Sequence, residues 1–135
     1  MTDFRVERFV ADTQALFWLL VDSPRLSPAA NAAFRLVEAG LAELWLPTIV
    51  LAELVHLARK QRIAIRLEDL LQDQRLGSVV HIASLDLPVL REFEVLDAPS
   101  EIHDRLIVAT ARILGAPLIT SDLEIQVGGN IQTVW

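Results

Sequence analysis

Short apolar runs alternate with longer segments of helical period along the whole chain. Phe9-Val10-Ala11 reads as a buried strand that extends back as far as Val6. Asp12-Thr13 ends it, and Ala15 to Leu20 follows at once as a helix with Asp12 typed for its N-cap. Ser27-Pro28 starts a second helix, with serine as N-cap and proline at N1, running to Glu38 or Ala39 and stopping at Gly40. Glu43 to Leu46 is the next strand. Pro47-Thr48 opens a third helix, Ile49 to about Lys60, apolar on nearly every face and so expected to be largely buried. Leu67 to Leu76 is predicted as a short amphipathic helix ending at Gly77, and Ser78 to Ile82 as a strand. A helix from Leu87 to Val95 follows a cap at Ser84 or Asp86. Asp97 to Ser100 is a loop.

The stretch Glu101–Asp122, EIHDRLIVATARILGAPLITSD, reads as a helix, a turn, a strand and a second turn. Asp104 sits near the helix start. Gly115 ends the helix as a C′ residue, and Pro117 prevents its restart. Leu118-Ile119 is a short strand that leads into Thr120-Ser121-Asp122. After a helical turn through Glu124 and Ile125, Gly128-Gly129-Asn130 turns the chain into a last strand, Ile131 to Trp135. Strands alternating with helices in this way imply an α/β fold with a parallel sheet covered on both faces.

At 135 residues the chain is the size of one domain, 1–135, with a core of its own. The 53% hydrophobic content agrees with a sheet buried on both sides or a buried oligomer face. The formal net charge is −6, whereas nucleic-acid binders are usually basic. There is no cysteine, so disulfide and thiolate chemistry are excluded, which fits a cytoplasmic setting. Asp3, Arg5, Glu7 and Arg8 precede the first apolar run, unlike a signal peptide. No apolar run reaches the ~20 residues of a membrane helix.

Four carboxylates stand out on this scaffold. Asp12 ends the first strand and Asp122 follows the fourth, while Asp104 and Glu53 lie in the N-terminal halves of helices. In a parallel sheet these places face one crevice beyond the strand ends. Each acid also has a plainer reading. Asp12 can be an N-cap and nothing more. Glu53 can be the buried partner of Arg59, Arg62 or Arg66, because a buried carboxylate is costly unless paired or bound to a metal. Two carboxylates ~5 Å apart repel by about 3 kcal/mol at an effective dielectric near 20, so a cluster of four protonates in part or binds a divalent cation. Oxygen-only ligands point to Mg²⁺ or Mn²⁺, and such a site suits phosphodiester hydrolysis.

Other chemistries fail on spacing. There is no GxGxxG and no P-loop, no GxSxG elbow and no zinc spacing among the three histidines. Glu53-x-x-His56 has no second copy, which a di-iron bundle requires. His56 is expected at the core or rim, and His103 on the helix surface. Arg59, Lys60, Arg62 and Arg66 form the one local basic cluster. Cations of that kind complement a helix C-terminus, or they line a phosphate-contacting rim.

The chain resembles the PIN domain family, and within it the VapC-type toxin ribonucleases. VADTQALFWLL is similar to the family's opening strand and helix with its Asp-Thr/Ser pair. LPTIVLAEL is similar to the segment that bears the acid of the third helix. HDRLIVATARILGAPLITSD is similar to its most diagnostic block, and NIQTVW to its last strand. The resemblance implies a three-layer fold with a five-stranded parallel sheet of order 3-2-1-4-5. It implies that Asp12, Glu53 and Asp104 are the catalytic and metal-binding acids, with Asp122 the more variable fourth, and that Thr13 and Thr120 orient them. It further implies Mg²⁺- or Mn²⁺-dependent endonucleolytic cleavage of RNA, a homodimer, and a cognate antitoxin as partner. The alternative is a non-catalytic PIN-like module that binds RNA or a protein. One departure stands out: where relatives carry D-P-x-D-R, this chain has Glu101-Ile102-His103-Asp104-Arg105, which leaves the helix start and the role of Glu101 open.

Overall fold

The computed structural model describes residues 6–128 and 130–135; Asp3, Arg5 and the expected turn residue Gly129 lie outside them. Five strands form one sheet: β1 (Glu7–Ala11), β2 (Ala42–Pro47), β3 (His81–Ala83), β4 (Leu118–Ile119) and β5 (Thr133–Val134). Their order is β3-β2-β1-β4-β5 and every neighbouring pair is parallel, as expected. The register sets Val10 beside both Trp45 and Leu118. Seven helices flank the sheet among the described residues: α1 (Thr13–Leu20), α2 (Pro28–Glu38), α3 (Thr48–Lys60), α4 (Leu67–Leu71), α5 (Leu87–Val95), α6 (Ile102–Leu114) and α7 (Leu123–Gly128).

The core sits where β1 and β4 are covered on both sides. Val10, Leu16, Leu44, Leu46, Val50, Leu54, Ile107, Leu118 and Ile119 are almost fully enclosed. The strand order reverses between β1 and β4, because the chain steps outward from β1 to β2 and β3, then returns to β4. A crevice therefore opens beyond the C-terminal ends of these two strands. Helices that connect parallel strands run against them, so the N-terminal parts of α3 and α6 come to that edge.

The helix ends follow local chemistry. Asp12 Oδ1 accepts the Ala15 backbone N–H at 2.8 Å. Ser27 Oγ accepts from Ala30 at 3.1 Å, with Pro28 at N1. Asp86, not Ser84, caps α5. Gly115 takes the left-handed conformation after α6, φ +61°, which it reaches without a Cβ penalty.

Four expectations need correction. The helix predicted over Leu67–Leu76 breaks after Leu71 into a 3₁₀ turn, Gln74–Leu76. Asp73 causes this by accepting the Arg75 backbone N–H at 2.9 Å and so starting a new turn. The strand predicted over Ser78–Ile82 begins only at His81. Gly77 at φ +94° redirects the chain, Val79 is left 63% exposed, and pairing starts where His81 stacks on Trp45, centroids 4.8 Å apart. The last strand pairs only at Thr133–Val134, since β4 offers just two residues. Finally, α3 is not enclosed: Val50, Leu54 and Ala58 are its buried stripe, while Ala52 and His56 face outward.

Candidate active site

A cleft of about 780 Å³ lies at the C-terminal edge of β1 and β4, and Asp12, Glu53, Asp104 and Asp122 all line it. Each comes from a different element. Asp12 is the residue after β1, Glu53 lies in the second turn of α3, Asp104 in the first turn of α6, and Asp122 in the turn between β4 and α7. The structure thus brings all four sequence-predicted acids to one surface.

Their supports are specific. Asp12 is buried and spends one oxygen on the α1 cap. The Thr13 hydroxyl donates to Glu53 Oε1 at 2.8 Å, tying α1 to α3. Thr120 is fully buried beneath the cleft. Its hydroxyl accepts the Asp122 backbone N–H at 3.1 Å and also hydrogen-bonds Asp12, which favours the ionised carboxylate there and works against the upward shift. Asp122 caps α7 by accepting from Ile125 at 3.1 Å. Glu53 is half-buried. Among the described residues it pairs with none of Arg59, Arg62 or Arg66; it faces Thr13 and, at 3.5 Å, His103 Nδ1.

The electrostatics are those of crowded like charges. Asp12 is raised to about 6, first by burial and then by Asp122 and Glu53, against the Thr120 and Ala15 hydrogen bonds. Asp104 is also raised to about 6, by burial first and then by Asp122, Glu101, Glu53 and Asp12. Both shifts favour the neutral acid. Among the described residues, no three His, Cys, Asp or Glu side chains are already drawn together as a set of ligands. The fit to a divalent cation therefore rests on donor chemistry: four oxygen acids, mutually repelling, on one open cleft.

A match to the PIN domain family spans residues 9–128 and contains all four acids. The chain belongs to the PIN domain family. Its fold is shared with solved structures of low sequence identity. One is VapBC2 from Rickettsia felis bound to a promoter DNA fragment, at 16% identity and TM-score 0.65, covering 93% of this chain and 96% of that one. Another is FitAcB from Neisseria gonorrhoeae, at 18% and 0.63, covering 93% and 95%. A third is a toxin–antitoxin complex from Klebsiella pneumoniae, at 19% and 0.61, again covering 93% and 95%. At these identities the likeness is one of fold. A comparison with curated protein sequences finds no match.

For three residues of this PIN domain the structure decides what the pattern of the sequence left open. Glu101 is the N-cap of α6, accepting the Asp104 backbone N–H at 2.9 Å. It therefore replaces the usual helix start rather than losing it. His103 is on the helix surface as expected, but its Nδ1 stands 3.2 Å from Glu101 and 3.5 Å from Glu53, so it lines the cleft. Lys60 also lines the cleft, unlike Arg59, Arg62 and Arg66. The helical spacing Glu53, His56, Lys60 could have signalled this, since i, i+3 and i+7 share a face. Arg105 turns away, with its guanidinium over Phe93 and a hydrogen bond to the Ser100 carbonyl.

Proposed function

We propose that this chain, as one PIN-like unit over 1–135, is a divalent-metal-dependent endoribonuclease, the toxin of a toxin–antitoxin pair. One observation carries the reading. Four carboxylates from four elements line a single cleft, and burial and mutual repulsion hold two of them near 6. An arrangement so costly in the free protein is relieved by a cation. Asp12, Glu53, Asp104 and Asp122 would hold Mg²⁺ or Mn²⁺, which supplies Lewis acidity to the phosphodiester and to the attacking water. Thr13 holds Glu53 in place, and Thr120 supports Asp12 and Asp122. Membership of the PIN domain family and a fold shared with toxin–antitoxin complexes support the assignment and an antitoxin as partner; a second copy of the chain as partner belongs to the same proposal. No described helix is long and apolar enough to cross a membrane; a cytoplasmic location belongs to the same proposal.

The test is cleavage of a mixed RNA pool in Mn²⁺ by the wild type and by Asp104→Asn. Cutting by the wild type alone, stopped by EDTA, is expected. Equal cutting by the variant would remove Asp104 from the site. If neither protein cuts, the reading gives way to a non-catalytic PIN-like binding module.

A further inference from the structure

The acid cleft does not end at the carboxylates. A second groove, about 530 Å³, lies between α1 and the C-terminal end of α3. Gln14 lines both hollows, and at the end of α3 Lys60 lines the cleft while the next residue, Gln61, lines the groove. The two surfaces are therefore continuous. Their chemistry differs. Asp and Glu outnumber Lys and Arg by 18 to 12 in the chain, yet among the described residues no carboxylate lines the groove. Its polar residues are Gln14, Gln61, Ser23 and Arg25, and its aromatic ones are Trp18 and the more deeply buried Phe17. Asp22, which sits in the same turn, is paired with Arg75 at 3.2 Å. Ser23 Oγ accepts the Arg25 backbone N–H at 3.2 Å and so fixes the turn that presents Arg25. Trp18 is half-buried and backed by Trp135, centroids 5.6 Å apart, which leaves it a rigid aromatic surface.

We propose that this groove holds the single-stranded RNA that runs out of the acid cleft, with Lys60 and Arg25 on phosphates and Trp18 against a base. The proposal rests on the ribonuclease reading and adds to it where the flanking strand lies. A cation at each end, neutral donors between and an aromatic wall are the features of single-strand sites, where positive charge tracks the backbone and bases stack. The length also fits. From Gln14 to Val21, α1 runs about 10 Å, room for about three stacked nucleotides at ~3.4 Å each. An otherwise acidic protein thereby gains a local path that does not repel its substrate.

The test measures binding of a fluorescein-labelled 12-nucleotide RNA pool by anisotropy over a salt series in Ca²⁺, with cleavage of the same pool followed in Mn²⁺. The proteins are the wild type, Arg25→Glu, Lys60→Gln and, as control, Arg35→Glu on the exposed outer face of α2. Melting curves establish that each is folded. Removal of each groove charge is expected to reduce the salt slope by about 0.7, the single-strand value per phosphate contact. Arg25→Glu is expected to weaken binding roughly tenfold, since it loses a phosphate contact and sets a like charge in its place, and Arg35→Glu to change it less than twofold. If the wild type binds and cleaves while Arg25→Glu and Lys60→Gln keep its slope and affinity, the groove proposal falls and the groove is left to a polypeptide. If the wild type neither binds nor cleaves RNA, the ribonuclease reading falls and takes the proposal with it.

Discussion

Asp73 and Glu43 lie below the ordinary carboxylate range, and Asp12 and Asp104 lie above it. Asp73 is lowered chiefly by the Arg75 side chain, which reaches it at 2.8 Å and also bonds the Leu19 carbonyl. Glu43 is lowered first by the Trp45 indole N–H, then by His81 and Arg8. These acids sit in mixed networks that join β1 to β2 and α1 to the 3₁₀ turn. In the cleft, by contrast, the acids face other acids, and no lysine or arginine forms an ion pair with them among the described residues. The difference separates two uses of one side-chain type. Asp73 and Glu43 each tie elements together with the help of an arginine. In the cleft no such cation is supplied, and burial and repulsion raise Asp12 and Asp104, a pattern of perturbed acids common at functional sites.

The largest expected effect comes from exchanging the two kinds of acid for their amides. Asp104→Asn is expected to lower RNA cleavage in Mn²⁺ at least 100-fold, the scale of losing one group essential to transition-state stabilisation, and to raise the melting temperature at pH 7.5. Asp73→Asn is expected to do the reverse: cleavage stays within about twofold and stability falls by about 1 kcal/mol through the lost charge-assisted bonds. Calorimetric melting and a cleavage time course on both variants decide it. A cleft variant that melts lower than wild type would erase the contrast.

Metal addition is the next test. A cation held only by the folded state stabilises it by about 2.7 kcal/mol at 100 times its dissociation constant. Mn²⁺ should therefore raise the melting temperature of the wild type and leave that of the Asp12→Asn variant nearly unchanged. The pH dependence follows from the direction of the shifts. Asp12 and Asp104 hold their protons in the folded state up to about 6, whereas the unfolded chain releases them near 3.8. Between these values the folded state binds more protons, so stability falls as pH rises. Metal-free protein is expected to melt higher at pH 5 than at pH 7. At 1.36 kcal/mol per unit, the Asp12 shift alone bounds the effect at about 3 kcal/mol. Asp12→Asn should remove the Asp12 share of that slope and leave the Asp104 share, with α1 still capped by asparagine.

A smaller effect is expected at Thr13. Its hydroxyl fixes Glu53 by one hydrogen bond, worth about 1 kcal/mol. Thr13→Val should slow cleavage roughly fivefold, while Thr13→Ser retains it. Equal rates in all three proteins would show that Glu53 needs no such tether.

Much of this site was legible in the sequence because it is specified by local signals. Asp12 caps a helix directly after a strand, Gly115 and Pro117 bound α6, and the strand–helix alternation fixes which ends share an edge. What escaped was set by contacts distant in sequence. The apolar face of α3 reads as core, yet only its Val50-Leu54-Ala58 stripe is buried. Glu53 finds Thr13, 40 residues away, instead of a nearby arginine. Asp73 breaks α4 from the next turn through a side-chain bond that competes with the helix. His81, and not the more apolar Val79-Val80, begins β3 because Trp45 gives it a partner across the ladder.

Glu101 offers the finest division between the two kinds of acid, because it belongs to both. It accepts the Asp104 backbone N–H at 2.9 Å and so starts α6, and its charge also helps to raise Asp104. Removing it loses the cap and relieves the repulsion, so the two effects oppose each other. An N-cap is worth about 1 kcal/mol. The repulsion is screened by solvent at this exposed position and is worth a few tenths. The cap should win: Glu101→Ala is expected to melt lower than wild type by about 1 kcal/mol, with cleavage reduced only in proportion to the loosened position of Asp104. Glu101→Asp, the residue at this place in related D-P-x-D-R segments, should recover the loss, since aspartate is among the best N-caps. A higher melting temperature for Glu101→Ala would mean that repulsion outweighs the cap, and that Glu101 belongs with the cleft acids rather than with Asp73 and Glu43.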